Sequence, residues 1–353
     1  MSTLDLAGVP PGGQLVRGSL PSWGPRAIYA GAAMIALGLL ALTDISPALL
    51  VVGAVAICGV GVYAWSRVVE GVRAATDHGI TFLVSTAFAL AIAPLVSVAY
   101  TVIEKGSARF DYAFFTESAR NVVGAGGGAS HAIVGTLLIT GCATLASVPI
   151  GILAAVYLQE YGHGRLKRAI TFFVDVMTGI PSIVAGLFAY ALFALFLGPG
   201  IRLGVMGSVA LSVLMIPIVV RSTEEMLKIV PDHLREASAA LGVPKWRTVV
   251  KVVLPTALGG IISGVMLAIA RVMGETAPLL ITTGVFSSTN LNAFDGRMQN
   301  LAVYAFNEYK SPGVPNDPYF ERAWAAALTL ILLVMTLSLL ARVINRRFGT
   351  EQR

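Results

Sequence analysis

Arg271 and Glu275 stand four residues apart in the apolar run 256–283. If that run crosses a bilayer, an unpaired arginine near its middle costs roughly 2.5–3.5 kcal/mol on insertion scales, so a counter-charge or a ligand must meet it. On a continuous helix Glu275 lies one turn beyond Arg271 and can pair with it, although arginine before glutamate is the less favourable order. Such a pair leaves guanidinium donors free, and the planar fork of arginine can give two parallel hydrogen bonds to the oxygens of a phosphate group. The same residues also suit a salt bridge that only fixes helix packing. Arg221, at the end of the apolar run 204–222, fits by its position a positively charged anchor at the membrane surface. Thr276, Ser182 and Asp175 are further polar groups in apolar surroundings. The chemistry that this set supports is transient anion pairing, with no covalent step.

The elements that must carry these residues follow from composition. The chain of 353 residues is 56% hydrophobic and 12% charged, against about 25% charged in soluble domains. It cannot cover its own surface with polar side chains. Apolar segments at 26–43, 47–65, 80–103, 132–158, 169–197, 204–222, 256–283 and 322–343 give about eight candidate spanning helices, since a helix needs about 20 apolar residues to cross the hydrocarbon core. The expected fold is an all-α integral membrane protein. Residues 26–65 read as a tight helical hairpin within an N-terminal segment 26–79, and 80–345 as the core, with tails at 1–25 and 346–353. Proline in Gly179-Ile180-Pro181-Ser182 removes a backbone donor, so segment 169–197 is expected to kink there.

With the N-terminus inside, Lys and Arg concentrate in the loops and tails assigned to the cytoplasm. Lys105, Arg109, Arg120, Arg202, Arg297, Lys310 and Arg322 fall on the opposite side. This asymmetry places both termini in the cytoplasm and the loop from Gly284 to Phe320 outside.

Several functions are excluded by the same pattern. The net charge of +6 is spread between apolar segments rather than gathered in a patch, which argues against nucleic acid. Cys58 and Cys142 lie in apolar stretches with no ligand cluster, so no disulfide framework or metal site is expected. The run Gly124-Ala125-Gly126-Gly127-Gly128 has no Gly-Lys-Ser or Gly-Lys-Thr after it and reads as a flexible connector. No other stretch supplies a nucleotide loop, so the chain is not expected to be an enzyme. Residues Met1 to Trp23 lack the basic and apolar regions of a signal peptide.

The long loop and its flanks, 224–255, read as a helix–turn–helix elbow along the membrane surface. Asp232 after Pro231 is placed to satisfy free N–H groups in a first turn, Gly242 can close that helix in a left-handed conformation, and Pro244 starts a second helix. In the second helix Trp246, Val249, Val250 and Val253 fall on one face at helical spacing, with Arg247 and Lys251 on another.

The residues Glu236-Ala237-Ser238, then Gly242, then Val252-Val253-Leu254-Pro255 resemble the EAA motif of ABC importer permeases: Glu-Ala-Ala, three residues, Gly, nine residues, Ile, any residue, Leu-Pro. The spacing matches throughout, with Ser238 for the second alanine and Val252 for isoleucine. A narrower resemblance, to the PstA-type phosphate permease family, is carried by Ile133 to Leu138, Pro149 to Tyr161, Gly179 to Phe188 and Arg271 to Leu280.

This resemblance implies a type I ABC importer (MetI-like) permease core in the bacterial inner membrane, to which 26–65 adds an extra hairpin. It implies an ATP-driven phosphate importer completed by a PstC-type permease subunit, a PstB-type ATPase dimer and a PstS-type phosphate-binding protein. ATP and Mg would be bound by the ATPase, and this chain would hold no cofactor. Glu236, Ala237, Ser238 and Gly242 would couple to the ATPase, and Arg271, Glu275, Arg221, Thr276 and Ser182 would line the substrate pathway. Sulfate or molybdate as the cargo, a PstC-type identity for this chain, a transporter without an ATPase, and a sensor controlling a kinase are the alternatives left open.

Overall fold

The structure is a computed structural model that describes Gly31 and residues 47–348, with side chains from 52 to 343. Segment 26–43, apart from Gly31, and the expected tails, apart from residues 346–348, lie outside the described residues. The chain divides into two units, Met1–Ala99 and Tyr100–Arg353.

In the first unit, α1 (Pro47–Val69) and the start of α2 (Val72–Gly106) form an antiparallel pair around Gly71, which adopts φ +91°. Small residues let the two helices approach. A Cβ on Gly59 would lie 2.8 Å from the Phe82 ring, and one on Gly79 would lie 3.2 Å from the Tyr63 ring. The described partner of segment 47–65 is therefore α2.

The second unit is organised around α6 (Gly204–Ile229), the most buried of the spanning helices. On one side it packs along α3 (Ser130–Tyr161), whose last turn, Tyr157–Tyr161, is a π-helix. α8 (Lys245–Met273) also packs against it. Ile139 and Ala143 of α3, Leu211, Met215 and Val219 of α6, and Ala268 and Val272 of α8 share one buried cluster. Glycines set the spacing: a Cβ on Gly151 would meet Val219 at 2.7 Å, and one on Gly264 would meet Ser222 at 2.5 Å. Close approach at small residues is what drives helix association where no hydrophobic effect operates between helices.

Three expected boundaries change. Segment 169–197 is two helices, α4 (Gly164–Thr178) and α5 (Ser182–Leu197), bent by 110° at the break. Segment 256–283 ends as a helix at Met273, and a separate short helix, α9 (Ala277–Thr282), follows. The elbow is α7 (Asp232–Ala240) plus the start of α8, whose backbone runs on from Lys245 into the span. The described residues contain six helices able to cross a membrane, or seven if the bent pair is one span; of the eight expected segments, 26–43, apart from Gly31, lies outside the described residues.

The loop from Gly284 to Phe320 is not featureless. It carries α10 (Leu301–Lys310) and leads into α11 (Asp317–Phe348). Nor is the glycine run a flexible connector. Arg322, 2% exposed, donates to the carbonyls of Gly124 (2.7 Å) and Gly126 (3.1 Å) and to Glu308 (2.8 Å). Gly124, Gly126 and Gly127 all have positive φ, the backbone that aims those carbonyls inward. Burial raises the pKa of Glu308, and Arg322 opposes that shift by favouring the carboxylate.

Candidate functional site

The two helix breaks meet at a cavity of about 260 Å³. From the first break come Thr178, Ile180, Pro181 and Ser182; from α6 come Leu214, Pro217 and Ile218; from the end of α8 come Arg271, Val272 and Glu275. The breaks have local causes. Pro181 begins α5 at an extended backbone angle, and Pro278 sits in the first turn of α9, where its missing N–H costs nothing. Gly186 brings the two together, since a Cβ there would lie 2.6 Å from Pro278 Cα.

Arg271 and Glu275 do not form the expected one-turn pair. The helix ends at Met273, so Glu275 is no longer four residues further along the same spiral. Both residues line the cavity, and neither has an ion pair among the described residues. The backbone at Glu275 is nevertheless held: its N–H donates to Val272 O at 3.2 Å, and its carbonyl accepts from Asn300 Nδ2 at 3.3 Å. Ser182 joins them at the wall. Thr276 lies in the break but does not line the cavity.

Arg221 lies outside the cavity. It is divided between two carboxylates, with Nη1 on Glu224 at 2.7 Å and Nη2 on Asp175 of α4. The Glu224 side chain is 8% exposed and the Asp175 side chain 59%. Exposed pairs contribute about 0–1 kcal/mol, whereas loss of one partner from a buried pair costs about 3–5 kcal/mol. The bond to Glu224 is therefore the persistent one.

At the elbow, Gly242 takes φ +71° and the Val243 N–H closes on Ser238 O at 3.2 Å, ending α7 as the glycine position predicts. Glu236 and Ala237 are exposed, whereas Ser238 is buried and shares a 2.7 Å hydrogen bond with Thr248 across the turn. Asp232 caps no backbone group and instead accepts from Arg235 at 3.1 Å. The face expected for α8 is split. Val249 and Val253 are buried while Trp246 and Val250 are exposed. The segment Val249–Val253 is a π-helix, whose wider turn shifts the helical register.

Sequence reading missed Arg235. Its guanidinium bonds Glu160 at 2.9 and 3.1 Å, the carbonyls of Val230 (2.7 Å) and Leu227 (2.9 Å), and Asp232. It ties the elbow to the ends of α3 and α6. The available signal was a glutamate closing an apolar run and an arginine beside the EAA-like motif, but nothing local links residues that far apart in the chain.

Residues 147–350 match the family described as "Binding-protein-dependent transport system inner membrane component". A Mycobacterium tuberculosis protein described as "Phosphate transport system permease protein PstA 1" is 47% identical over 263 residues, covering 74% of this chain and 84% of that one. The chain belongs to the PstA family of transport permeases. A Yersinia pestis member, "Phosphate transport system permease protein PstA", is 41% identical over 253 residues, 71% of this chain and 83% of that one. A chain of a bacterial alginate ABC transporter in complex with alginate pentasaccharide-bound periplasmic protein has the same fold, with a TM-score of 0.55 over 77% of this chain and 94% of that one at 13% identity. The permease is thus a multi-pass inner-membrane component of a binding-protein-dependent transporter.

Proposed function

We propose that this permease forms part of the translocation pathway of an ATP-driven importer of inorganic phosphate, and that the cavity at Arg271 is the anion's transit point. One observation carries the reading: an arginine with no partner among the described residues lines a cavity built from two helix breaks, together with Thr178 and Ser182. Broken helices are tolerated in membranes where the freed groups line a polar path. Arginine's fork suits a tetrahedral oxyanion, and relatives bearing the phosphate transport description support phosphate over sulfate or molybdate.

A PstC-type subunit completes the pathway, a PstB-type ATPase dimer binds ATP and Mg, and a PstS-type protein delivers phosphate at the loop from Gly284 to Phe320. Both termini face the cytoplasm. Closure of the ATPases pushes the elbow at its exposed residues Glu236 and Ala237. Ser238 and Gly242 keep the elbow's shape, and α6 and α8 transmit the movement to the cavity.

Uptake of radiolabelled phosphate into proteoliposomes holding the full importer tests this. Uptake should need ATP, resist excess sulfate and molybdate, and fall in Glu236→Lys with membrane insertion unchanged. Uptake without ATP, or its suppression by sulfate, would overturn the reading.

A further inference from the structure

A second cavity, of about 490 Å³, is lined by Lys105 from the end of α2, Tyr309 of α10, and Asp317, Phe320, Glu321 and Trp324 of α11. All six belong to the second unit. The neighbours of α11 fix its depth. Arg322, two residues before Trp324, donates to the carbonyls of Gly124 and Gly126, just ahead of the start of α3, while the far end of α3 is where Glu160 meets Arg235 of the elbow. The cavity therefore stands at the end of the spanning helices away from the elbow, the level of the lipid headgroups, where tryptophan and tyrosine collect.

Its chemistry is aromatic and acidic. The ring centroids of Tyr309 and Phe320 are 5.3 Å apart, and Tyr309 meets Trp324 at 6.0 Å in an edge-to-face arrangement. Trp324 already attracts a cation: Lys105 Nζ lies 5.4 Å from its centroid, close enough for the ring quadrupole to hold an ammonium. Asp317 and Glu321, one helical turn apart and both exposed, have no ion pair among the described residues. One lysine against two carboxylates leaves the cavity with an excess of negative charge. A fitting ligand brings an ammonium for the carboxylates and rings, and a phosphate suits the lysine. The rest of α11 adds a third requirement. Ile331 and Met335 follow Trp324 by seven and eleven residues, about two and three turns along the same face, and both are exposed. An apolar strip thus runs from the cavity into the depth of the membrane.

We propose that this cavity is a headgroup site for a zwitterionic phospholipid with a primary ammonium, of the phosphatidylethanolamine kind. The ammonium donates to Asp317 and Glu321 among the rings, the phosphate pairs with Lys105, and the acyl chains lie along Ile331 and Met335. Charge decides against an anionic phospholipid, which supplies the phosphate but brings no cation to the two carboxylates. Because the lining comes from α2, α10 and α11, one bound headgroup bridges three elements.

Native mass spectrometry of the full importer, delipidated in detergent and titrated with equal amounts of phosphatidylethanolamine and phosphatidylglycerol, tests it. The wild type should retain the ethanolamine lipid in preference. Asp317→Asn with Glu321→Gln should lower that preference about fivefold, the scale of an exposed ion pair. Trp324→Leu should lower it about threefold through the lost cation–π contact. Complex yield should stay unchanged, and a merely structural defect would not alter the ratio between the two lipids. Should the double change reduce yield, Glu321→Gln alone, beyond the first turn of α11, makes the same test. Equal retention of the two lipids by the wild type, or a preference that survives both variants, would overturn the proposal. Weaker docking of the binding protein to the lipid-free double variant, with the lipid preference intact, would also overturn it and assign the cavity to a protein partner.

Discussion

Arg235 at the elbow donates to Glu160, Asp232 and two backbone carbonyls, whereas Arg271 at the cavity has no hydrogen-bond or ion-pair partner among the described residues. The same side chain is used in opposite ways. At the elbow a saturated guanidinium locks α7 to the ends of α3 and α6, which is what a part that receives force requires. At the cavity the unsaturated guanidinium leaves its hydrogen-bonding capacity for something that comes and goes. Arg221 falls between the two, with one edge committed to Glu224 and the other lightly held by Asp175.

Removing the saturated arginine should have the largest effect. Arg235→Ala leaves Glu160 buried and uncompensated, and breaking a buried pair in this way costs about 3–5 kcal/mol. Lower complex yield and a clear drop in apparent Tm are expected, partly recovered by adding Glu160→Gln. Wild-type Tm in Arg235→Ala would remove the contrast between the two regions.

Arg271→Gln should leave yield and Tm unchanged, because no partner among the described residues loses a bond, yet lower phosphate uptake about 100-fold. That figure corresponds to losing a charge-assisted contact of about 3 kcal/mol. Exchanging the charges, Arg271→Glu with Glu275→Arg, should not restore uptake, since the two residues sit on different sides of the helix end. Recovery in the exchanged variant would make Arg271 a packing residue.

The smallest effect is expected inside the elbow turn. Ser238→Ala removes the buried hydrogen bond to Thr248 and leaves that hydroxyl unsatisfied, a loss of about 1–3 kcal/mol, while Ser238→Ala with Thr248→Val should cost less than the two changes summed. Additive losses in a double-mutant cycle read by thermal denaturation would show that the two hydroxyls do not act as a pair.

Much of this was legible in the chain. Apolar length predicts spanning helices, and α3, α6, α8 and α11 each contain or overlap a segment read from hydropathy alone. Gly242 announces the end of α7 because left-handed backbone is a local requirement, met within a few residues. The EAA-like spacing located the elbow, and the family resemblance agrees with the relatives found. Hydropathy was least informative where it was most uniform. Residues 256–283 look like one apolar run, yet the backbone leaves the helix at Gly274, and only the packing of Gly186 on Pro278 shows why that break is held.

The sequence by itself determined that this protein is helical and membrane-spanning, where its polar residues fall, and which loop is built as an elbow. Those properties depend on hydropathy, glycine and proline, which act over a few residues. Tertiary structure alone decided which charges are paired. Arg322 is buried on the carbonyls of a glycine run nearly 200 positions away, Arg235 joins Glu160 across 75 residues, and Arg271 is left open beside Glu275 four residues on. The range of an ion pair is measured through space, and the bends at Pro181 and Gly274 change which residues are near one another without changing the composition from which hydropathy is read.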